Sequence, residues 1–398
     1  MKKVFIYIHS LEIGGAERSL IGLLNSIDYS EYEVDLFLSR HTGEFFNLIP
    51  ENVNLLPQIK QYTYLAVPIA NLIKNGALKI AFGRAIGKLK AKRFLKRNNL
   101  QYNPGITAEY SHKYTKKFMP EISDVEYDLA ISFLTPHYFV SEKVNSKIKI
   151  AWIHTDYTKL SIDVDSELKM WDKYDKLVAV SDKCKESFIK IFPTLKDKVT
   201  VIENILSSDY VRSQADVDVF DEIKSEKNCV NILSVGRFEC AKNFESIPEI
   251  VSKMKNNVKW YIVGYGGLEE KIRNKITEFN MEDRVIILGK KSNPYPYIKA
   301  CDIYAQPSLY EGKAVTVREA QILCKPVVIT NFTTAASQVN AGVDGVIIPM
   351  EIDECAKALD DFIVNTELQK KLIKNCSERN FGNENEVEKI YDLIRSNI

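Results

Sequence analysis

No cysteine framework, no long apolar run and no strong charge imbalance mark this chain of 398 residues. Its seven cysteines include no C-x-x-C spacing. Cys301 and Cys324 sit in apolar contexts, as small buried residues of a reducing compartment do, so neither a disulfide framework nor a zinc site is expected. The formal net charge is +1, which gives no global electrostatic reason to expect a nucleic-acid partner. The apolar run Val4 to Ile8 behind Met1-Lys2-Lys3 is about one strand long and too short for a signal-peptide core. No uninterrupted apolar stretch approaches the ~18–20 residues of a membrane span. A cytoplasmic protein is expected. The glycine pairs at Gly14-Gly15 and Gly264 to Gly267 lack a complete G-x-G-x-x-G, so a nicotinamide-binding domain is poorly matched.

What the chain does have is alternation. Its length predicts two domains, and 45% hydrophobic residues supply a core for each. In the first half, Val4 to His9, Val34 to Leu38, Asp128 to Phe133, Ile148 to Ile153, Leu177 to Val180 and Val199 to Ile202 read as strands. Leu20, Leu23, Leu24 and Ile27 recur at helical spacing behind a glycine turn, and Ser181 is placed to cap a helix through Ile191. In the second half, Val230 to Val235, Trp260 to Val263, Val285 to Leu288, Ile303 to Ala305, Val327 to Ile329 and Val346 to Ile348 are short apolar runs, most of them separated by helix-length segments. This pattern predicts α/β domains with parallel sheets and helices on both faces. The expected division is 1–206, 207–380 and a C-terminal helix over 381–398 that crosses back to the first domain. Val387, Ile390, Tyr391 and Ile394 share one face of that helix.

One segment departs from the even charge. From Lys74 to Lys117 there are twelve Lys or Arg and one acid, Glu109. Leu78, Phe82, Ala85, Ile86 and Leu89 recur at helical spacing with Arg84, Lys88, Lys90, Lys92 and Arg93 among them. Such a segment, spanning roughly 71–117, suits an anionic membrane surface because its basic excess is so one-sided; a solvated face of a packed helix is the alternative.

The residues that suggest chemistry lie in the second half. Tyr310-Glu311-Gly312-Lys313-Ala314-Val315-Thr316-Val317-Arg318-Glu319 follows the strand ending near Ala305, and a helix should begin near Ala314. In open α/β sheets ligands bind beyond the carboxyl ends of strands. A helix starting there turns free N–H groups and the positive end of its dipole toward an anion, which suits a diphosphate. Carboxylates at Glu311 and Glu319 accept hydroxyl hydrogen bonds, as a ribose or hexose would offer. Arg237 and Lys242, just past the strand Val230 to Val235, supply cations for phosphate. Val263-Gly264-Tyr265-Gly266 and Leu288-Gly289-Lys290 follow the next two strands, and Asp344-Gly345 is read as a loop on the same sheet edge. His154, after the strand Ile148 to Ile153, also falls at a strand end, as does His9. His41, His112 and His137 carry no supporting pattern. Asp163-Val-Asp165 and Asp216-Val-Asp218 have the D-x-D form of manganese sites, but neither closely follows a strand. Both read as surface turns, and no metal site is expected.

As an ordered set these pieces resemble the retaining GT-B glycosyltransferases of family 4, the E-x7-E type. They are G-R-x4-K-N at Gly236 to Asn243, V-G-x-G at Val263 to Gly266, V-x-x-L-G at Val285 to Gly289, E-G-x6-E-A at Glu311 to Ala320, K-P-V at Lys325 to Val327 and D-G at Asp344. Gly14-Gly15-Ala16-Glu17 matches the first glycine loop. The resemblance is dense in the second half and thin between Pro50 and Pro120. It implies two Rossmann-like domains facing across a cleft and transfer of a hexose-type sugar with retention. The donor would be a UDP- or GDP-sugar, with no metal or other cofactor. The basic amphipathic segment suggests a lipid-linked oligosaccharide acceptor at the inner membrane face, as in capsule, O-antigen or exopolysaccharide assembly.

By that resemblance Arg237 and Lys242 hold the diphosphate, Glu319 binds the ribose hydroxyls and Glu311 faces the transferred sugar. The backbone of Gly312, Lys313, Ala314 and Val315 meets the sugar hydroxyls and phosphate. Gly264, Gly266, Leu288, Gly289 and Lys290 line the base. Gly14 and Gly15 close over the diphosphate, and His154 lies at the cleft. Lys313 to Arg318 departs from the usual apolar run and leaves the donor sugar open. A nucleotide-sugar epimerase of the same shape and a non-catalytic sugar-nucleotide-binding assembly protein are the alternatives.

Overall fold

The computed structural model describes residues 1–223, 226–311 and 314–395. The chain forms two compact units, Met1–Leu206 with Glu384–Ile398, and Ser207–Asn383. Each is built on one parallel sheet.

The first sheet comprises β1 (Lys2–Ile8), β2 (Tyr32–Leu38), β3 (Asn54–Leu55), β4 (Glu126–Ser132), β5 (Asn145–Ile153), β6 (Lys176–Ala179) and β7 (Val199–Val201). Their order is β3-β2-β1-β4-β5-β6-β7. The register sets Ile6 beside Leu36 on one flank and Ile131 on the other. Strands covered on both faces need apolar side chains on both, which is why these runs read as continuous rather than alternating. Phe5 packs against Tyr127 and Tyr7 against Phe37, all fully or almost fully buried. The two-residue β3 was not foreseen, because Asn54–Leu55 is too short to carry a pattern. Ser181 caps the helix Asp182–Ile191 as expected, accepting from the Cys184 N–H at 3.1 Å.

The second sheet comprises β8 (Val230–Val235), β9 (Val258–Val263), β10 (Val285–Gly289), β11 (Ile303–Gln306), β12 (Val327–Thr330) and β13 (Val346–Ile348), in the order β10-β9-β8-β11-β12-β13. The two-sheet α/β architecture is thus the one the apolar runs predict. In both sheets strand addition reverses once, between β1 and β4 and between β8 and β11. That reversal opens a crevice at the carboxyl edge, because the connections on its two sides leave in opposite directions.

The C-terminal helix Glu386–Arg395 belongs to the first unit. Val387, Ile390, Tyr391 and Ile394 are buried along it. The Tyr391 ring stacks 4.2 Å from that of Tyr32, and its hydroxyl accepts the Asp28 N–H at 2.8 Å. Glu386 accepts the Glu203 N–H at 2.9 Å.

The two D-x-D segments have structural work. Asp163 is a helix cap rather than a turn residue: it accepts the Ser166 N–H at 3.1 Å and the Tyr110 hydroxyl at 2.5 Å. Asp216 pairs with Lys299, and Asp218 accepts the Phe220 N–H at 2.8 Å.

Candidate functional site

The reversal between β8 and β11 brings together the residues that the sequence placed 69 positions apart. The loop after β8 makes a single 3-10 turn at Cys240–Lys242 and leaves through Asn243 in the left-handed region, φ 55°. That turn directs Lys242 back over the strand end. Its Nζ lies 2.5 Å from Glu311 Oε1, with both side chains largely buried. The loop after β11 is held to it by the Leu309 N–H, which donates to the Ala241 carbonyl at 2.9 Å.

Glu311 is held from several sides. Ser308 Oγ donates to its Oε1 at 2.7 Å and accepts from Gln306 Nε2 at 2.9 Å, and the Tyr304 hydroxyl donates to Gln306 Oε1 at 2.7 Å. Thr334 Oγ1 donates to the Glu311 carbonyl at 2.7 Å, and Thr330 Oγ1 to the Ser308 carbonyl at 2.5 Å. A buried charge with this many partners has a fixed position, since each broken bond would leave an unsatisfied polar atom. Sequence reasoning missed Gln306, Ser308, Thr330 and Thr334. The available signal was polar residues continuing an apolar strand into a buried loop: Gln306 and Ser308 are at most 1% exposed.

Arg237 lies on the same β8 loop, exposed to solvent, with no ion pair among the described residues. The helix Val315–Ile322 begins where expected and has no side-chain cap, though the Ala314 N–H donates to Gln338 Oε1 at 2.8 Å. Glu319 lies inside this helix with no exposed surface and accepts the Tyr295 hydroxyl at 3.1 Å. Gly312 and Lys313 lie outside the described residues.

Next to this cluster, the ends of β9 and β10 carry Gly264, Gly266, Leu288, Gly289 and Lys290. The Gly264 N–H donates to the Gly289 carbonyl at 2.9 Å, and Lys290 Nζ sits 5.0 Å from the Tyr265 ring centre, within cation–π range. The two V-G-x-G glycines serve loop packing. A Cβ on Gly264 would stand 1.9 Å from the Gly236 carbonyl oxygen, and one on Gly266 2.6 Å from that of Phe238. Asp344-Gly345, expected on this edge, is not there. Asp344-Gly345 precedes β13, and in a parallel sheet a residue before a strand lies at the amino edge, opposite the crevice. Asp344 is buried there, accepting the Asn340 N–H at 2.7 Å and pairing with Arg379 at 2.9 Å.

In the first unit, Gly14 precedes the helix Gly15–Leu24, and a Cβ on Gly15 would meet open space. His154 follows β5, its Nε2 2.8 Å from the Phe133 carbonyl oxygen. Burial pushes its pKa down to about 4, against that hydrogen bond. His137 follows β4 with Nδ1 2.8 Å from Ser132 Oγ, and burial pushes its pKa, like that of His112, down to about 3. The pKa of His9, after β1, is also lowered by burial. A proton on His154 or His112 would lower His137 further, and one on His9 would lower His112, so the rings are neighbours. Four of the five histidines therefore gather at one sheet edge as neutral imidazoles. The sequence singled out His154 and, less firmly, His9. His137 and His112 escaped because no spacing links a strand-end loop to the distant helix Pro104–Thr115.

Residues 218–379 match the family described as Glycosyl transferases group 1, a stretch that lies within the second unit. It is 24% identical over 350 residues to the Campylobacter jejuni N-acetylgalactosamine-N,N'-diacetylbacillosaminyl-diphospho-undecaprenol 4-alpha-N-acetylgalactosaminyltransferase, covering 85% of this chain and 83% of that protein. It is 27% identical over 231 residues to the Escherichia coli UDP-Gal:alpha-D-GlcNAc-diphosphoundecaprenol alpha-1,3-galactosyltransferase, covering 55% of this chain and 59% of that one. The fold is similar to that of Anabaena HepE solved with UDP and glucose, with a TM-score of 0.68, 18% identity and full coverage of both chains. A Rickettsia africae glycosyltransferase gives a TM-score of 0.63 at 17% identity, over 100% of this chain and 98% of that one. The two-sheet α/β fold is thus that of GT-B glycosyltransferases.

Proposed function

We propose that the protein is a retaining, metal-independent glycosyltransferase of the family 4 type. It moves a hexose-type sugar from a UDP- or GDP-sugar to a lipid-linked glycan of capsule, lipopolysaccharide or exopolysaccharide assembly. The observation that carries this reading is the Lys242–Glu311 pair at the crevice of the second sheet, with Arg237 on the same loop. Breaking the anomeric bond leaves growing negative charge on the diphosphate, and cations fixed in advance lower that barrier most. Lys242 is so fixed, and Arg237 and the uncapped start of Val315–Ile322 add to it. Glu311, engaged by Lys242 and Ser308, acts as a positioning group for sugar hydroxyls rather than as a nucleophile. Glu319 reaches ribose hydroxyls once the Tyr295 hydroxyl yields its place. The acceptor leaves its proton on the departing phosphate side.

The names of the Campylobacter and E. coli relatives favour an undecaprenyl-diphosphate-linked acceptor, and UDP in HepE favours a uridine donor. Among the described residues no helix is long and apolar enough to cross a membrane. The protein meets such an acceptor as a peripheral protein on the inner membrane face, through the basic segment 74–117. The test is release of free nucleoside diphosphate from a panel of nucleotide sugars, with and without an undecaprenyl-diphosphate-sugar. Release only with acceptor supports transfer, whereas equal release without it rejects transfer in favour of hydrolysis or epimerisation.

A further inference from the structure

The helix Leu78–Arg97 has two apolar faces, and the fold uses one of them. On the packed face Ile80, Ala81, Ala91 and Leu95 are buried. Gly83 and Gly87 bring its backbone against the helix Pro104–Thr115. A Cβ on Gly87 would stand 2.6 Å from the Tyr110 carbonyl oxygen, and one on Gly83 2.7 Å from that of Tyr114. Ala91, Leu95, Ile106 and Tyr110 close a small core between the two helices. This pairing needs nothing from the opposite side.

On that opposite side Leu78, Phe82 and Leu89 are 61%, 59% and 60% exposed. At 3.6 residues per turn they fall within about 40° of one another, facing away from Gly83 and Gly87. Single exposed apolar residues are ordinary, but three aligned large ones are a surface awaiting a partner. Lys79 and Lys90 run along one flank of the stripe, Lys88 and Lys92 along the other, all exposed. No Asp or Glu occurs between Glu51 and Glu109, so no acidic side chain of the segment answers these cations. Beyond the helix end, Tyr102 is 74% exposed.

We infer that this face lies flat in an anionic bilayer surface, with Leu78, Phe82 and Leu89 inserted among the acyl chains. The inference deepens the membrane reading above and rests on it. Charge complementarity selects the occupant: an apolar strip bordered by lysines matches acyl chains bordered by headgroup phosphates. The lysine stems lie along the apolar surface while their ammonium groups reach the phosphates. A basic patch alone would bind through charge and release in salt, whereas an inserted strip keeps a salt-resistant component.

The experiment is sedimentation of the full chain with vesicles of phosphatidylethanolamine and phosphatidylglycerol, at low and high salt. The combined Leu78→Ser, Phe82→Ser and Leu89→Ser variant should lose affinity by about 100-fold. Because these positions are exposed, its thermal stability and its binding of soluble nucleotide sugar should stay unchanged. Phe82→Trp should show blue-shifted emission on the vesicles and quenching by brominated acyl chains. Wild-type affinity in the triple variant overturns the inference. So does vesicle binding that leaves the Phe82→Trp emission unshifted, or self-association without vesicles that the triple variant abolishes. Absent nucleotide-sugar binding in the wild-type chain would instead sink the transferase reading and leave the vesicle result standing.

Discussion

The two sheets share one strand order around their crevices, yet their carboxyl edges are built from opposite materials. The β8–β11 crevice carries a buried ion pair on a rail of polar side chains, Tyr304, Gln306, Ser308 and Glu311. The β1–β4 crevice carries neutral imidazoles among aromatic rings: His154 lies 4.9 Å from Phe133 and His137 4.6 Å from Trp171. One edge holds a fixed ion pair, with the exposed Arg237 on the same loop. The other holds imidazoles that burial keeps uncharged at neutral pH. The same topology thus supplies two crevices, and the side chains at the strand ends decide what each can bind.

The contrast is broken most directly at the charged edge. Arg237→Ala and Lys242→Ala should each lower turnover by on the order of 100- to 1000-fold with the fold intact by circular dichroism. Near-normal transfer in both would remove the phosphate role. Ser308→Ala frees one side of Glu311 and should cost about tenfold in turnover. If donor Kd changed as much as kcat, Ser308 would be holding substrate rather than positioning Glu311.

The neutral edge is tested by pH. Folded-state pKa values of about 4 for His154 and about 3 for His137 and His112 lie below the unfolded value near 6.5. As pH falls below that value the unfolded chain takes up protons that the folded chain refuses. Stability should therefore fall progressively from about pH 7 toward pH 4, by several kcal/mol in total. His137→Gln should flatten the thermal unfolding profile over that window. An unchanged slope would mean that the imidazoles are not held neutral. The smallest effect separates the two edges of a single sheet. Asp344→Ala, at the amino edge, should lower stability by about 2 kcal/mol and leave kcat unchanged. A large loss of kcat at unchanged stability would return Asp344 to the crevice.

Much of this was legible in the sequence. Strands buried on both faces have to be continuous apolar runs, so twelve of the thirteen strands among the described residues could be read from the chain, and only the two-residue β3 was too short to show. Arg237, Lys242 and Glu311 were legible because a sheet gathers its strand-end loops on one side whatever the distance in sequence. Asp344 misled for the same reason, since a D-G pair reads as a turn at either end of a strand. The histidine cluster was invisible, because His112 arrives from a helix whose docking no local pattern encodes.

The sequence by itself determined the elements and the cations and acids available to chemistry, because hydrophobic periodicity and strand-end position are local properties. Tertiary structure decided the rest. It closed Lys242 onto Glu311, buried Glu319 behind Tyr295, neutralised four histidines by desolvation and turned Leu78, Phe82 and Leu89 outward. Each of these depends on which distant surface covers a side chain, and no spacing along the chain records that.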